Sequence, residues 1–259
     1  MPSSSASGKR PSKKVKSTIP ATDPTPEREP RGARRKRETR QRLLEAALRL
    51  MAKKGMEGVA INEITEAADV GFGSFYNHFE SKEAIYGAVM EWVFEDFADA
   101  LDRLVSDIAD PAEVISVSVR HTLLRAQREP VWGQFLIREG FSARVLERGL
   151  GQRLLRDIQK GIASGRFKRE DALMSFLSVG GIVLASISVW LQFHHTQGTP
   201  AAPIDQLGFN VDDLPQRVAK TLLLTLGLSS LQAEKIAYRP LPGDGALPDA
   251  LSGSAAAVA

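Results

Sequence analysis

The sequence predicts an all-α protein, with a three-helix headpiece set on a larger helical body. Three observations predict it. Apolar residues recur at helical spacing in nearly every segment between residues 38 and 226, and no run shows the period of two that a half-buried strand needs. Residues that start or stop helices stand at intervals along the chain: Gly55, Ser81, Pro111, Pro130 and Gly165. A three-residue interruption, Asp69-Val70-Gly71, separates two apolar stretches too short to stand as helices on their own.

Residues 1–36 are rich in Ser, Pro, Lys and Arg and have almost no large apolar side chains, so they are expected to be a disordered basic arm. Residues 1–37 hold 11 Lys or Arg against 3 Asp or Glu, although the whole chain carries only +3. The cluster Arg34-Arg35-Lys36-Arg37 ends that arm and could reach a minor groove. A first helix over 38–54 has Leu44, Ala47, Leu48 and Met51 on one stripe, Lys53 and Lys54 in its last turn, and Gly55 as its stop. A second carries Ile61, Ile64, Ala67 and Ala68. A third, over 72–78, turns Phe75 and Phe79 inward.

Ser81 caps a long helix whose pattern of Ile85, Val89, Trp92, Val93, Phe97, Leu101 and Leu104 persists to about Asp107. Further helices follow from Pro111, from Pro130 to Ile137, over 144–163, over 171–194 and over 213–226, with a short one near Leu231. Residues 196–212 read as a loop and 239–259 as a disordered tail. The expected division is therefore an arm (1–36), a headpiece (37–84), a body (85–238) and a tail (239–259).

Two short helices around a tight turn are the layout of a helix-turn-helix, whose second helix enters the DNA major groove. Its outward side shows Tyr76, Asn77 and His78 within one turn, with Lys82 just beyond; each can donate a hydrogen bond to a phosphate or a base edge. Phe72, Gly73, Ser74 and Asn77 fall where bases are read: Asn77 can bond adenine and Phe72 can pack on a thymine methyl. Arg40 and Asn62 are further candidates on the first two helices. Glycines at 71 and 73 leave few long side chains there, so recognition through DNA shape is expected as well.

The segment Phe72-Gly73-Ser74-Phe75-Tyr76-Asn77-His78-Phe79-Glu80-Ser81-Lys82-Glu83-Ala84-Ile85 resembles the recognition-helix signature of tetracycline-repressor (TetR) family regulators. The run from Thr39 to Met51, ending at Gly55, resembles that family's first helix. The resemblance implies that Tyr76, His78 and Lys82 touch phosphates. It also implies a homodimer paired through its last two long helices, and a small effector bound in the body that releases the DNA. Four positions depart from the family pattern. Ala60-Ile61 replace a capping Thr, Asp69 replaces the turn's Gly, Gly71 replaces Ser, and Met51 replaces Phe.

The body offers apolar and aromatic side chains for such a pocket: Trp92, Phe97, Trp132, Phe135, Phe176 and Trp190, with His121 and Arg138 as polar anchors. They suggest a hydrophobic or amphipathic effector, either lipid-derived or aromatic; plain core packing is the competing reading for each. No catalytic constellation is present. The chain has no cysteine, so disulfides and thiolate metal sites are excluded. His194-His195 point to different sides of a helix and lack a third ligand, and the Gly-x-Gly fragments at 71–73 and 149–151 follow no strand. The expectation is a cytoplasmic, nucleoid-associated regulator without metal or cofactor, binding a palindromic operator as a repressor. Two other classes stay open. The uncharged stretch 172–193 is long enough to cross a bilayer, and a headpiece lacking its cap could be an interaction module that binds no DNA.

Overall fold

The computed structural model describes residues 31–142, 144, 147, 149–168, 171–195 and 211–242; all but the last two residues of the expected 196–212 loop and most of the arm and tail lie outside them. Every regular element among the described residues is helical. Helix α1 spans Arg31–Lys54, α2 Ile61–Ala67 and α3 Phe72–Phe75. Helix α4 spans Lys82–Met90 and runs through a π-helical turn at Glu91–Glu95 into α5, Asp96–Val105. The body continues with α6 (Pro111–Arg128), α7 (Pro130–Glu139), α8 (Leu150–Ala163), α9 (Ala172–His195), α10 (Leu214–Thr225) and α11 (Ser230–Ala237).

Most ends obey local chemistry. Gly55 closes α1 at φ 73°, a left-handed conformation that costs glycine little. The Ser81 hydroxyl accepts from the Ala84 amide at 3.1 Å, and the Asp110 carboxylate accepts from Ala112 at 3.0 Å just before Pro111.

Three sequence expectations are corrected. Helix α1 starts seven residues before Glu38, so Arg34–Arg37 lie on a helix and not in an extended arm. The Arg34–Glu38 ion pair at i,i+4, with a 2.7 Å hydrogen bond, supports that extension. Helix α3 is regular only to Phe75; Tyr76–His78 form a tight turn, closed by bonds from His78 and Phe79 to the Phe75 carbonyl. Helix α8 begins at Leu150, six residues later than expected, directly after Gly149 at φ 74°.

The rod from Ser81 is continuous in direction but holds the π turn. Trp92, Val93 and Phe94 are all buried, three in succession, more than a narrow helical face accommodates; the wider turn lets all three face the interior.

One apolar cluster runs from headpiece to body. Leu43, Ala47, Met51, Ile64 and Phe75 seal the headpiece without measurable exposure, while Ala67, expected inside, is exposed. Helix α6 is the axis of the body and packs on α5 and on α7 through α11. Helix α7 bridges the two parts, touching α1 on one side and α6 and α9 on the other.

Candidate nucleic-acid interface and buried cavity

In the headpiece, Phe75 and Phe79 anchor the turn after α3 from inside, 5.8 Å apart. Their burial pushes the intervening residues outward. Phe72 and Tyr76 are about half exposed and meet edge to face at 5.7 Å; Gly73 and Asn77 are exposed, and Ser74 is partly covered. Asn62 is exposed on the first turn of α2. Lys82 extends toward Glu57 at 3.9 Å. Arg40 lays its guanidinium over the Phe79 ring at 5.0 Å, which fixes α1 against the recognition turn.

His78 is half-buried, and its Nδ1 is enclosed without a hydrogen-bond partner. Burial, then the charges of Lys36 and Arg40, hold its imidazole below the usual value. The positive potential of α1 is thus felt at the recognition turn. Arg35, Lys36, Thr39 and Arg42 share with Asn77 and His78 one open concavity of about 640 Å³. Of these α1 residues, Arg35 and Lys36 belong to the basic cluster that the sequence singles out, whereas Thr39 and Arg42 were missed.

Two departures from the family pattern are compensated. Ala60 has no capping side chain, but the Glu63 carboxylate turns back to accept from the Ala60 amide at 3.0 Å and is paired with Lys54. Asp69 adopts the left-handed conformation at φ 52°, and Arg42 bonds its carbonyl at 2.7 Å and its carboxylate at 3.0 Å, locking the turn to α1.

The body holds a half-open cavity of about 100 Å³ between α5, α6, α8, α9 and the last turn of α7. Its wall is mostly apolar, with Leu101, Val119, Leu136, Leu154, Phe176 and Val183 contributing. Ser118 and Thr122 reach it from α6; Asp102, Arg153 and Asp157 close one end. Arg153 donates to Asp102 at 2.8 Å, to Glu95 at 3.0 Å and also to Asp99. Arg156 forks onto Asp102 at 2.7 and 3.1 Å and bonds Asp157 at 2.8 Å. Burial by itself raises the Asp102 carboxyl, but hydrogen bonds from Arg156 and Arg153 outweigh it and hold the carboxyl below its ordinary range. The polar end is therefore charged and already ordered.

Of the eight pocket residues expected from the sequence, Phe176 lines this cavity and the other seven do not. Phe97 and Trp132 pack edge to face at 5.1 Å with the Arg125 guanidinium against both rings, and Trp132 donates to the Val93 carbonyl at 3.2 Å. Phe135 stacks on Phe94, while Trp92 and Trp190 are buried elsewhere in the core. His121 is fully buried on α6; burial depresses its pKa to about 4. Arg138 points away from the cavity, to the end of α1. The missed residues, Asp102, Arg153 and Asp157, are charges set among the apolar stripes of α5 and α8. Sequence alone reads such charges as solvated.

Helix α9 was expected to be buried on most faces. Instead it buries Phe176, Val179, Val183, Ile187, Trp190 and Leu191 and leaves Met174, Leu177, Ala185 and Val189 on an exposed stripe. The segment Ala172–Gln192 has a mean hydropathy of 2.1, yet only 22% of its most apolar stretch is buried.

A helix-turn-helix headpiece fused to a helical body with its own cavity is the architecture of a two-part transcription regulator. Residues 43–89 match the bacterial regulatory proteins of the tetR family, and residues 110–239 match the tetracyclin repressor-like C-terminal domain. The chain belongs to the tetracycline-repressor family of transcription regulators. A transcriptional repressor, DhaR of Mycobacterium sp. (strain GP1), is 38% identical over 106 residues, which are 41% of this chain and 52% of that protein. The chain thus spans about half the length of that curated relative. The crystal structure of RolR in complex with resorcinol is 36% identical, with a TM-score of 0.55, covering 81% of this chain and 98% of that one. A fatty acid degradation regulator, FadR of Bacillus halodurans, shares the fold at 17% identity and a TM-score of 0.57, covering 74% of this chain and 97% of that one. These matches place the apolar 172–193 segment inside a regulator's body, which sets aside the membrane-span reading.

Proposed function

We propose that this chain is a homodimeric repressor that leaves a two-fold symmetric operator when a small, neutral, single-ring aromatic bearing hydroxyl groups fills the body cavity. The observation that carries the reading is the cavity itself. At about 100 Å³ it is below the span of ordinary drug-sized pockets and near the size that admits one ring after slight adjustment. Its apolar wall suits the ring; the ordered charges of Asp102 and Arg153 suit phenolic hydroxyls, which can both donate and accept. The resorcinol bound by RolR is a ligand of this kind.

The exposed stripe on α9 supports the dimer, because its small residues Gly181 and Ala185 allow a second helix to come close; nothing lies within 4 Å of a Cβ built on Gly181. The regulator acts in the cytoplasm at the nucleoid, with Tyr76 and Lys82 gripping phosphates and Phe72, Ser74 and Asn77 facing bases. Release requires the ligand to prefer the state whose headpieces misfit the operator; moving that balance from 1:99 to 99:1 takes about 5.5 kcal/mol of differential binding.

The test is fluorescence anisotropy of the protein on its own promoter fragment over a salt series, repeated with resorcinol. Saturable binding, lost in the Tyr76→Ala/Lys82→Ala double variant and weakened by resorcinol, is the expected result. A resorcinol effect unchanged in Asp102→Ala would refute the polar end of the cavity as the recognition element. Equal affinity for any sequence would overturn the operator itself.

A further inference from the structure

Arg138 does something that neither the operator contacts nor the cavity require. From the last turn of α7 its Nε donates to the Ala52 carbonyl at 3.2 Å and its Nη2 to the Lys53 carbonyl at 2.9 Å. These carbonyls belong to the final turn of α1, where no further backbone amides follow to satisfy them and a cation meets the negative end of the helix. The neighbouring Glu139 accepts from the Tyr86 hydroxyl on α4 at 2.6 Å. Two consecutive residues of α7 therefore hold the two helices that flank the helix-turn-helix. Gly55 keeps the first of these contacts open, since a Cβ there would lie 3.1 Å from the Arg138 guanidinium.

The other side of the same turn walls the cavity through Leu136, Gly140 and Phe141. Gly140 is tightly fitted: a Cβ on it would sit 2.9 Å from the Leu184 side chain across the cavity wall. Any shift of that wall moves the turn bearing Arg138 and Glu139. The alternative route runs from the cavity residues Ala98, Leu101 and Asp102 on α5 down to α4, and it must cross the π turn at Glu91–Glu95. The bonds of Arg138 and Glu139 on α7 bypass that turn and reach α1 and α4 directly.

We propose that Arg138 is a positioning residue for operator binding: with Glu139 it latches α1 and α4 to the cavity wall, so that the state of the cavity sets the angle of the headpiece. The latch rests on the regulator reading above. Energetic coupling is reciprocal, so operator engagement must in turn alter the cavity, and the latch can be tested without any effector.

Amide hydrogen exchange of the full chain is measured with and without promoter DNA, in the wild type, Arg138→Met, Arg138→Lys and Tyr86→Phe. In the wild type, DNA is expected to change exchange across 136–141 and 176–184 by about tenfold. Arg138→Met keeps an unbranched stem but no donors; its change falls below about twofold, while Arg138→Lys, with one cation able to reach a carbonyl, is intermediate. Tyr86→Phe removes one hydroxyl and is expected to lose part of the signal with its fold intact, which covers the case in which Arg138→Met does not fold. An undiminished change in Arg138→Met, or in Tyr86→Phe should Arg138→Met not fold, overturns the latch, as does a wild-type cavity that ignores bound DNA. A wild type that binds no promoter sequence specifically removes the regulator reading, and the latch with it.

Discussion

His121 is 1% exposed, and burial depresses its pKa from 6.5 to about 4, so it is neutral in the folded protein across the physiological range. The unfolded chain takes up that proton more readily, so stability falls as pH drops from about 6.5 to about 4, by about 3 kcal/mol in full. Asp96, whose carboxyl is raised first by burial, works in the opposite direction, so the effect is best isolated by comparison with a variant. Urea midpoints of wild type and His121→Gln are expected to converge near pH 4.5 and separate above pH 6.5, a span set by these values. Parallel curves would show that His121 is not the titrating group. Also at this scale, Asp102→Asn leaves Arg153 and Arg156 facing a weaker acceptor. Calorimetry with resorcinol is expected to show affinity lowered by about tenfold, as for loss of a charged hydrogen bond.

Among the elements, the turn that follows α8 depends on the absence of a side chain at Gly161. A Cβ built there lies 2.0 Å from the ring of Phe167, which is buried. Gly161→Ala is expected to cost about 1–3 kcal/mol through overpacking, despite the better helix propensity of alanine, and its urea midpoint measures this. An unchanged midpoint would mean that Phe167 repacks freely. Ser81→Ala removes the cap on α4 and is expected to cost about 1 kcal/mol. The α2 cap shows why such readings need the structure. Ala60 alone suggests an uncapped helix, yet Glu63 supplies half of a capping box from three residues on.

For the whole molecule, the apolar stripe of α9 is the feature that an isolated subunit leaves unexplained. Leu177, 41% exposed, lies near its N-terminal end, and a two-fold interface presents each residue twice. If the proposed dimer forms through this stripe, Leu177→Asp is expected to leave a monomer in light scattering. Operator affinity should fall with it, because one headpiece reads only one half-site. A dimer that survives the charge places the interface on another face.

The sequence by itself determined the helices, most of their ends and the exposed recognition turn, because these follow from periodicity, caps and one left-handed Asp. Tyr76 was legible as an outward residue because it directly follows Phe75, which had to face in, whereas Phe72 shares Phe75's helical spacing and only the packing left it exposed. Only the tertiary structure decided the cavity. Aromatic residues chosen for a pocket turned out mainly to fill the core, and the cavity's polar end came from charges on two helices some fifty residues apart in sequence. The π turn, the start of α1 at Arg31 and the grip of Arg138 on a helix end 85 residues earlier were likewise invisible in the chain. The reason is physical. Periodicity records which face of a helix is buried, whereas a site depends on which buried faces meet, and long-range packing alone fixes that.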